Sequence, residues 1–283
     1  MDKPIIALIY DFDKTLTDRD MQDYAFIPSL GMTSEDFWSD CNRMGRENHM
    51  DGILAMMYYM IRRARGKTVL TAATLRELGA NVNYYKGVTE WFSMIDEYGA
   101  KKNVCIEHYI ISSGLKKIIE GTSIAPRFKQ IFASDFVYDD DGVPYWPAVA
   151  LNYTSKTQFL YRINKGIFDI SDSETLNEHQ DERSRRVPFS NMIYIGDGIT
   201  DVPSMKLTKL NGGHSIGVFD KEPKAAQKMM SEGRLNFMVK ADYSKGGELH
   251  NIVKRIIDML TAQSELTRLS YEQLDKSQNC GND

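Results

Sequence analysis

Asp11-Phe12-Asp13-Lys14-Thr15-Leu16 follows directly on the apolar run Ile5–Tyr10, so two carboxylates two residues apart leave the end of a segment patterned as a buried strand. Strand side chains alternate faces, so Asp11 and Asp13 can project together while Phe12 turns into the core. Like charges held that close need a cation between them, or one acid must keep its proton, and either solution serves catalysis. A second acidic turn, Ile193-Tyr194-Ile195-Gly196-Asp197-Gly198-Ile199-Thr200-Asp201, repeats the pattern of an apolar strand running into acid and glycine. Between them Tyr109-Ile110-Ile111-Ser112-Ser113-Gly114 ends in hydroxyls and a glycine, which suit an anion cradled by backbone N–H groups. Two solvated aspartates in a loop would explain the first motif alone, but not its repetition.

The elements that must position these groups follow from periodicity. The strand at 5–10 and the next at 105–111 are separated far beyond the roughly 12 residues that a crossover requires, so something is inserted. Over 19–85 the pattern is helical: Phe37, Cys41 and Met44 share one face, and Ile53, Met56, Met57, Met60 and Ile61 another. A short helix is expected from Thr71 as N-cap to Gly79. After a helix at 87–97, the second strand, a helix at 115–120 and a short strand at 130–133, the run 136–145 with Asp139-Asp140-Asp141-Gly142 at its centre predicts a hairpin. Its consecutive acids lack the spacing and distal glutamate of a calcium loop. A helix at 155–165 precedes a polar excursion, 171–186, that has no periodicity. Helix at 203–209, strand at 215–219, helix at 223–230, strand at 237–239 and helix at 248–260 complete a strand–helix alternation. The expected fold is therefore α/β, a Rossmann-like parallel sheet with helices on both faces and an inserted all-helical cap. The expected division is a discontinuous core of 1–18 and 86–262, a cap of 19–85 and a polar tail of 263–283.

At 283 residues with 42% hydrophobic and 26% charged residues, the chain can bury a full core. Its net charge of −4 offers no basic excess for a nucleic-acid polymer. Cys41, Cys105 and Cys280 lack metal-ligand spacing and are odd in number, which fits a reducing compartment. The five histidines show no zinc spacing, and His49 is read as a surface residue. Neither a signal-type h-region nor a span of about 20 apolar residues is present, so a cytoplasmic chain without membrane attachment is expected. Arg62, Arg63, Arg65 and Lys67 could grip an anion, but their place at the end of a helix is explained by its exposed carbonyls. The oligomeric state is not legible.

Asp-x-Asp-x-Thr, a strand-end Ser, a lysine and Gly-Asp-x-x-x-Asp, in that order over roughly 5–253, resemble the four motifs of the haloacid dehalogenase superfamily, in its phosphatase branch. The resemblance implies Asp11 as nucleophile, forming an aspartyl-phosphate, and Asp13 as general acid and base. It implies Mg²⁺ held by Asp11, the backbone of Asp13, and Asp197, with Asp201 ligating through water or steadying that water. Ser112, with the amides of Ser113 and Gly114, would hold the phosphoryl group, and Lys156 would neutralise it, with Lys165 as rival. The cap and hairpin are most similar to the phosphoserine-phosphatase-type group, although Ser-Ser-Gly-Leu stands where that group has Ser-Gly-Gly-Phe. Expected partners are small phosphorylated metabolites, with phosphoserine and a nucleoside monophosphate equally open. A phosphotransferase or phosphomutase using the same intermediate, and a noncatalytic phospho-ligand-binding module, are the alternatives.

Overall fold

A computed structural model describes residues 3–279. Its strands are β1 (Ile5–Tyr10), β2 (Cys105–Leu115), β3 (Gln130–Tyr138), β4 (Pro144–Val149), β5 (Met192–Gly196), β6 (His214–Phe219) and β7 (Phe237–Lys240). They form one sheet of order β4-β3-β2-β1-β5-β6-β7, parallel throughout except for the β3–β4 hairpin. The apolar run at 5–10 is thus central, and both its faces are covered. Ile6, Leu8, Tyr10 and Phe12 enter one apolar core, while Ala7 and Ile9 enter the other.

Helices α1 (Phe26–Ser29), α2 (Ser34–Glu47), α3 (Gly52–Ala64) and α4 (Ala72–Leu78) occupy the connection from β1 to α5 (Val88–Lys101), forming the inserted helical cap. The chain leaves the sheet and returns beside itself: Thr17 bridges Tyr84, and the Tyr85 N–H donates to Leu16 O at 3.0 Å. The remaining helices are α6 (Lys116–Glu120), α7 (Lys156–Lys165), α8 (Glu174–Asn177), α9 (Val202–Leu210), α10 (Lys224–Ser231) and α11 (Glu248–Asn279). Phe159, Leu160 and Ile163 of α7 and Met205 of α9 cover the face of Ile9. Trp91, Phe92 and Ile95 of α5, with Val253 and Ile257 of α11, cover the opposite face. That second core continues without a break into Phe37, Met56, Met60 and Leu75 of the cap helices.

Some elements differ from the sequence expectation. β2 continues through Ser112 to Leu115, its register against β3 broken by a bulge, so the anion motif lies on a bulged strand end. The short strand expected at 130–133 runs on into the first arm of the hairpin. The helix expected at 248–260 runs on through the expected polar tail as a single α11, because nothing between 260 and 265 breaks the helical backbone. Thr71 does open α4, with Thr74 completing a capping box. Gly79 is not a left-handed stop: its φ is −59°, the chain goes on as a 3-10 turn over Gly79–Asn81, and a Cβ at Gly79 would lie 2.6 Å from the backbone of Gly121. Cap helix α4 is thereby seated backbone to backbone on core helix α6. Cys41 is buried in the cap, Cys105 is exposed, and Cys280 lies outside the described residues.

Candidate active site

Asp11 stands one residue past β1, its N–H donating to Ile195 O of β5 at 2.9 Å. Opposite it, Lys156 is the first residue of α7. The start of that helix is built by Asn152, whose Oδ1 accepts the N–H groups of Thr154 and Ser155 at 3.1 and 2.9 Å. Lys156 is thereby delivered fully buried between two acids, its Nζ 3.1 Å from Asp11 Oδ1 and 2.8 Å from Asp201 Oδ1. Asp201 Oδ1 also accepts the Tyr194 hydroxyl at 2.8 Å. Asp197, at the end of β5, completes a triad with Asp11 and Asp201 whose carboxylate oxygens lie within 4.8 Å of one another.

Lys156 pairs with Asp11 and Asp201 but not with Asp197, on which the nearby Lys14 charge acts first, so the acids outnumber the cations bonded to them in a largely buried space. Burial, reinforced by Asp201, raises the Asp11 carboxyl to about 6 even though Lys156 opposes the shift. Burial and then the neighbouring Asp201 and Asp11 raise Asp197 as well. For Lys156 burial acts to lower the pKa, but Asp11 and Asp201 outweigh it and hold the ammonium charged. An all-oxygen cluster of crowded carboxylates fits a hard divalent cation such as Mg²⁺.

Asp13 takes a different direction. Its carboxylate is absent from the triad, and Oδ1 accepts the Met21 N–H at 2.8 Å. Burial, with Asp20 and Asp11 nearby, raises its carboxyl well above the ordinary range. Ser112 is fully buried at the end of β2, its Oγ accepting the Gly114 N–H at 3.0 Å, and caps no helix. Gly114 lies beside Asp13: a Cβ on it would stand 2.9 Å from Asp13 Oδ2.

Asp11, Lys156, Asp197 and Asp201 are therefore brought together, with Asp13 and the Ser112–Gly114 bulge on adjoining strand ends. Lys165 is not among them, because its Nζ donates to Leu176 O and Glu178 O in the polar excursion. Arg63 and Lys67 are engaged within the cap, by Met32 Sδ and Leu30 O. Two contributors escaped sequence reasoning. Tyr194 reads as an ordinary strand residue, and its only signal is a hydroxyl that must find a partner once buried. Asn152 carried a turn signal before the lysine but no sign that its Nδ2 would reach Asp51 Oδ2, the N-cap of α3, at 3.0 Å.

In a doubly covered parallel sheet ligands bind beyond the carboxyl ends of the strands, and that is where these acids are gathered. The model of the haloacid dehalogenase-like hydrolase family matches residues 8–206, and the chain belongs to that family. An uncharacterised protein of Borreliella burgdorferi is 29% identical over 276 residues, covering 87% of this chain and 94% of its own. A substrate-bound phosphoserine phosphatase superposes with a TM-score of 0.56 at 15% identity, over 90% of this chain and 99% of that one. A HAD-family hydrolase from Salmonella enterica serovar Typhi gives 0.54 at 18% identity, over 85% and 69%. At these identities the structural likeness speaks for the fold. Among the described residues no helix is long and apolar enough to cross a membrane.

Proposed function

We propose that the protein is a Mg²⁺-dependent phosphatase that hydrolyses a small phosphomonoester through an aspartyl-phosphate on Asp11. The observation that carries this reading is the triad of Asp11, Asp197 and Asp201, three gathered acids of which Lys156 pairs with only two. Asp11 and Asp197, with the backbone carbonyl of Asp13, are the residues that would hold the ion, and Asp201 steadies Lys156. The ion supplies neutralisation of phosphoryl charge.

In the first half-reaction an Asp11 oxygen forms a bond to phosphorus while the ester P–O bond breaks. Asp13, its carboxyl held protonated by burial, gives its proton to the departing alkoxide. In the second, Asp13 takes a proton from water, whose oxygen attacks phosphorus and restores the Asp11 carboxylate. Lys156 holds the Asp11 carboxylate in place between turnovers, and Ser112 with the amides of Ser113 and Gly114 receives the phosphoryl oxygens. Residues 19–85 act as the cap that excludes water during the first half-reaction.

A screen of phosphomonoesters with Mg²⁺ tests this. Asp11→Asn and a chelator should each abolish turnover. Asp13→Ala should lower kcat by about 10²–10⁴ for alkyl esters, whereas with p-nitrophenyl phosphate, whose leaving group needs no proton, it should spare the first release of p-nitrophenolate and slow the later turnovers, which still need Asp13 as base. Turnover indifferent to Asp11→Asn would sink the covalent route, and product captured by an added alcohol in place of water would make the enzyme a transferase.

A further inference from the structure

Met21 is 1% exposed although it lies on a short 3-10 turn between the sheet and the cap. Its backbone N–H is the donor to Asp13 Oδ1. Its side chain then folds back onto the anion motif: Sδ accepts the Leu115 N–H at 3.1 Å, and a Cβ on Gly114 would run into Met21 Cε. The adjoining Gln22, 2% exposed, turns the other way and donates from Nε2 to Met56 Sδ of α3 at 3.3 Å. Both contacts use thioether sulfur, a weak acceptor that a substrate oxygen would readily replace.

This arrangement has a consequence for substrate choice, and it rests on the phosphatase reading above. The alkoxide that leaves must lie within reach of Asp13 to take its proton, so the organic group it carries must pass beside Gly114. The Met21 thioether fills that volume. We propose that Met21 is a specificity-determining residue: its side chain is the movable wall that the alcohol portion of the ester meets, and its displacement frees the Leu115 N–H to bind that portion. Methionine suits the position because an unbranched side chain with three rotatable bonds can yield without moving the backbone N–H that orients Asp13. The wall admits small, polar alcohol groups, which can take the Leu115 N–H, in preference to wide aromatic ones.

Nonhydrolysable phosphonates separate this claim from turnover. Affinities of methylphosphonate and phenylphosphonate are measured calorimetrically with Mg²⁺ in wild type, Met21→Ala and Met21→Leu. Met21→Ala should improve phenylphosphonate relative to methylphosphonate by about tenfold, the scale of discrimination a hydrophobic wall provides. Met21→Leu, which keeps the volume, should hold the ratio within about twofold of wild type, and inorganic phosphate should bind all three alike. An unchanged ratio in Met21→Ala, a parallel change in phosphate affinity, or failure of both phosphonates to bind would overturn the proposal. Absence of ester hydrolysis alongside the predicted shift in ratio would count against the phosphatase reading alone.

Discussion

Two buried charge clusters sit at opposite ends of the central strands, and they are balanced differently. At the start of β2, Glu107 faces Arg186 in a paired arrangement, with Nη1 to Oε2 at 2.7 Å, Nη2 to Oε1 at 2.5 Å and the Tyr109 hydroxyl adding a further bond. One anion meets one cation, and although burial opposes it, Arg186 holds the Glu107 carboxyl below its ordinary value. At the other end, three carboxylates are gathered with Lys156 pairing two of them, and burial drives Asp11 and Asp197 the opposite way. The first cluster is complete within the chain and pins the polar excursion to the sheet. In the second the acids are crowded, so that either a carboxyl keeps its proton or a cation joins them. The sign of the carboxylate shift thus distinguishes a paired cluster from a crowded one, and crowding of that kind is what functional sites tend to carry.

The contrast can be broken by substitution, and the largest effect should come from Lys156. Lys156→Met, measured by denaturant unfolding in chelator, should lose about 3–5 kcal/mol, because it strips a buried cation from acids that remain. A loss under 1 kcal/mol would mean the acids are not held charged against it.

Adding a cation should act in the opposite sense. Saturating Mg²⁺, at about 100 times its Kd, should raise unfolding stability by about 2.7 kcal/mol, and Asp197→Asn should remove that gain. In chelator Asp197→Asn should itself raise Tm by roughly 2–4 °C, since it relieves crowded like charge. If it lowered Tm instead, the triad would be stabilised without an ion.

Glu107→Gln should do the reverse and cost about 1–2 kcal/mol at neutral pH, because one side of the pair, Arg186, stays partly exposed and solvent-screened. Glu107 has its carboxyl pKa lowered on folding, so its contribution is fully present above the unfolded value near 4.5 and fades as pH falls through the folded one. The wild type should therefore lose more stability than the variant on acidification below about 4.5; parallel acid limbs would show that the pair does not titrate with folding. Mg²⁺-dependent turnover should be unchanged. Smallest of all, Tyr194→Phe should cost about 1 kcal/mol and shift the Mg²⁺ response little, since it removes one hydrogen bond from Asp201 and no charge.

Much of this architecture is local in origin and could be read residue by residue. The alternation along 5–12 separates Tyr10 and Phe12 from Ile9, and the two packed cores bear it out. The Thr71 cap and the hairpin around Gly142 follow from turn chemistry within a few residues. The extent of α11 was less legible, because an exposed helix beyond 260 has no apolar period to announce it. The need for glycine at 79 comes from its close approach to α6, more than 35 residues away.

Order and spacing of acids and hydroxyls nominated Asp11, Asp13, Ser112, Asp197 and Asp201, since strand ends in a parallel sheet collect on one edge whatever joins them, and the family resemblance added Lys156. What only the tertiary structure decided is how those groups divide: Asp201 with Lys156 and Tyr194, Asp13 with the Met21 amide, and Met21 itself over Gly114. These pairings lie between segments far apart in the chain and are chosen by angstrom-scale packing of helix starts against strand ends, and no periodicity in sequence encodes such a distance.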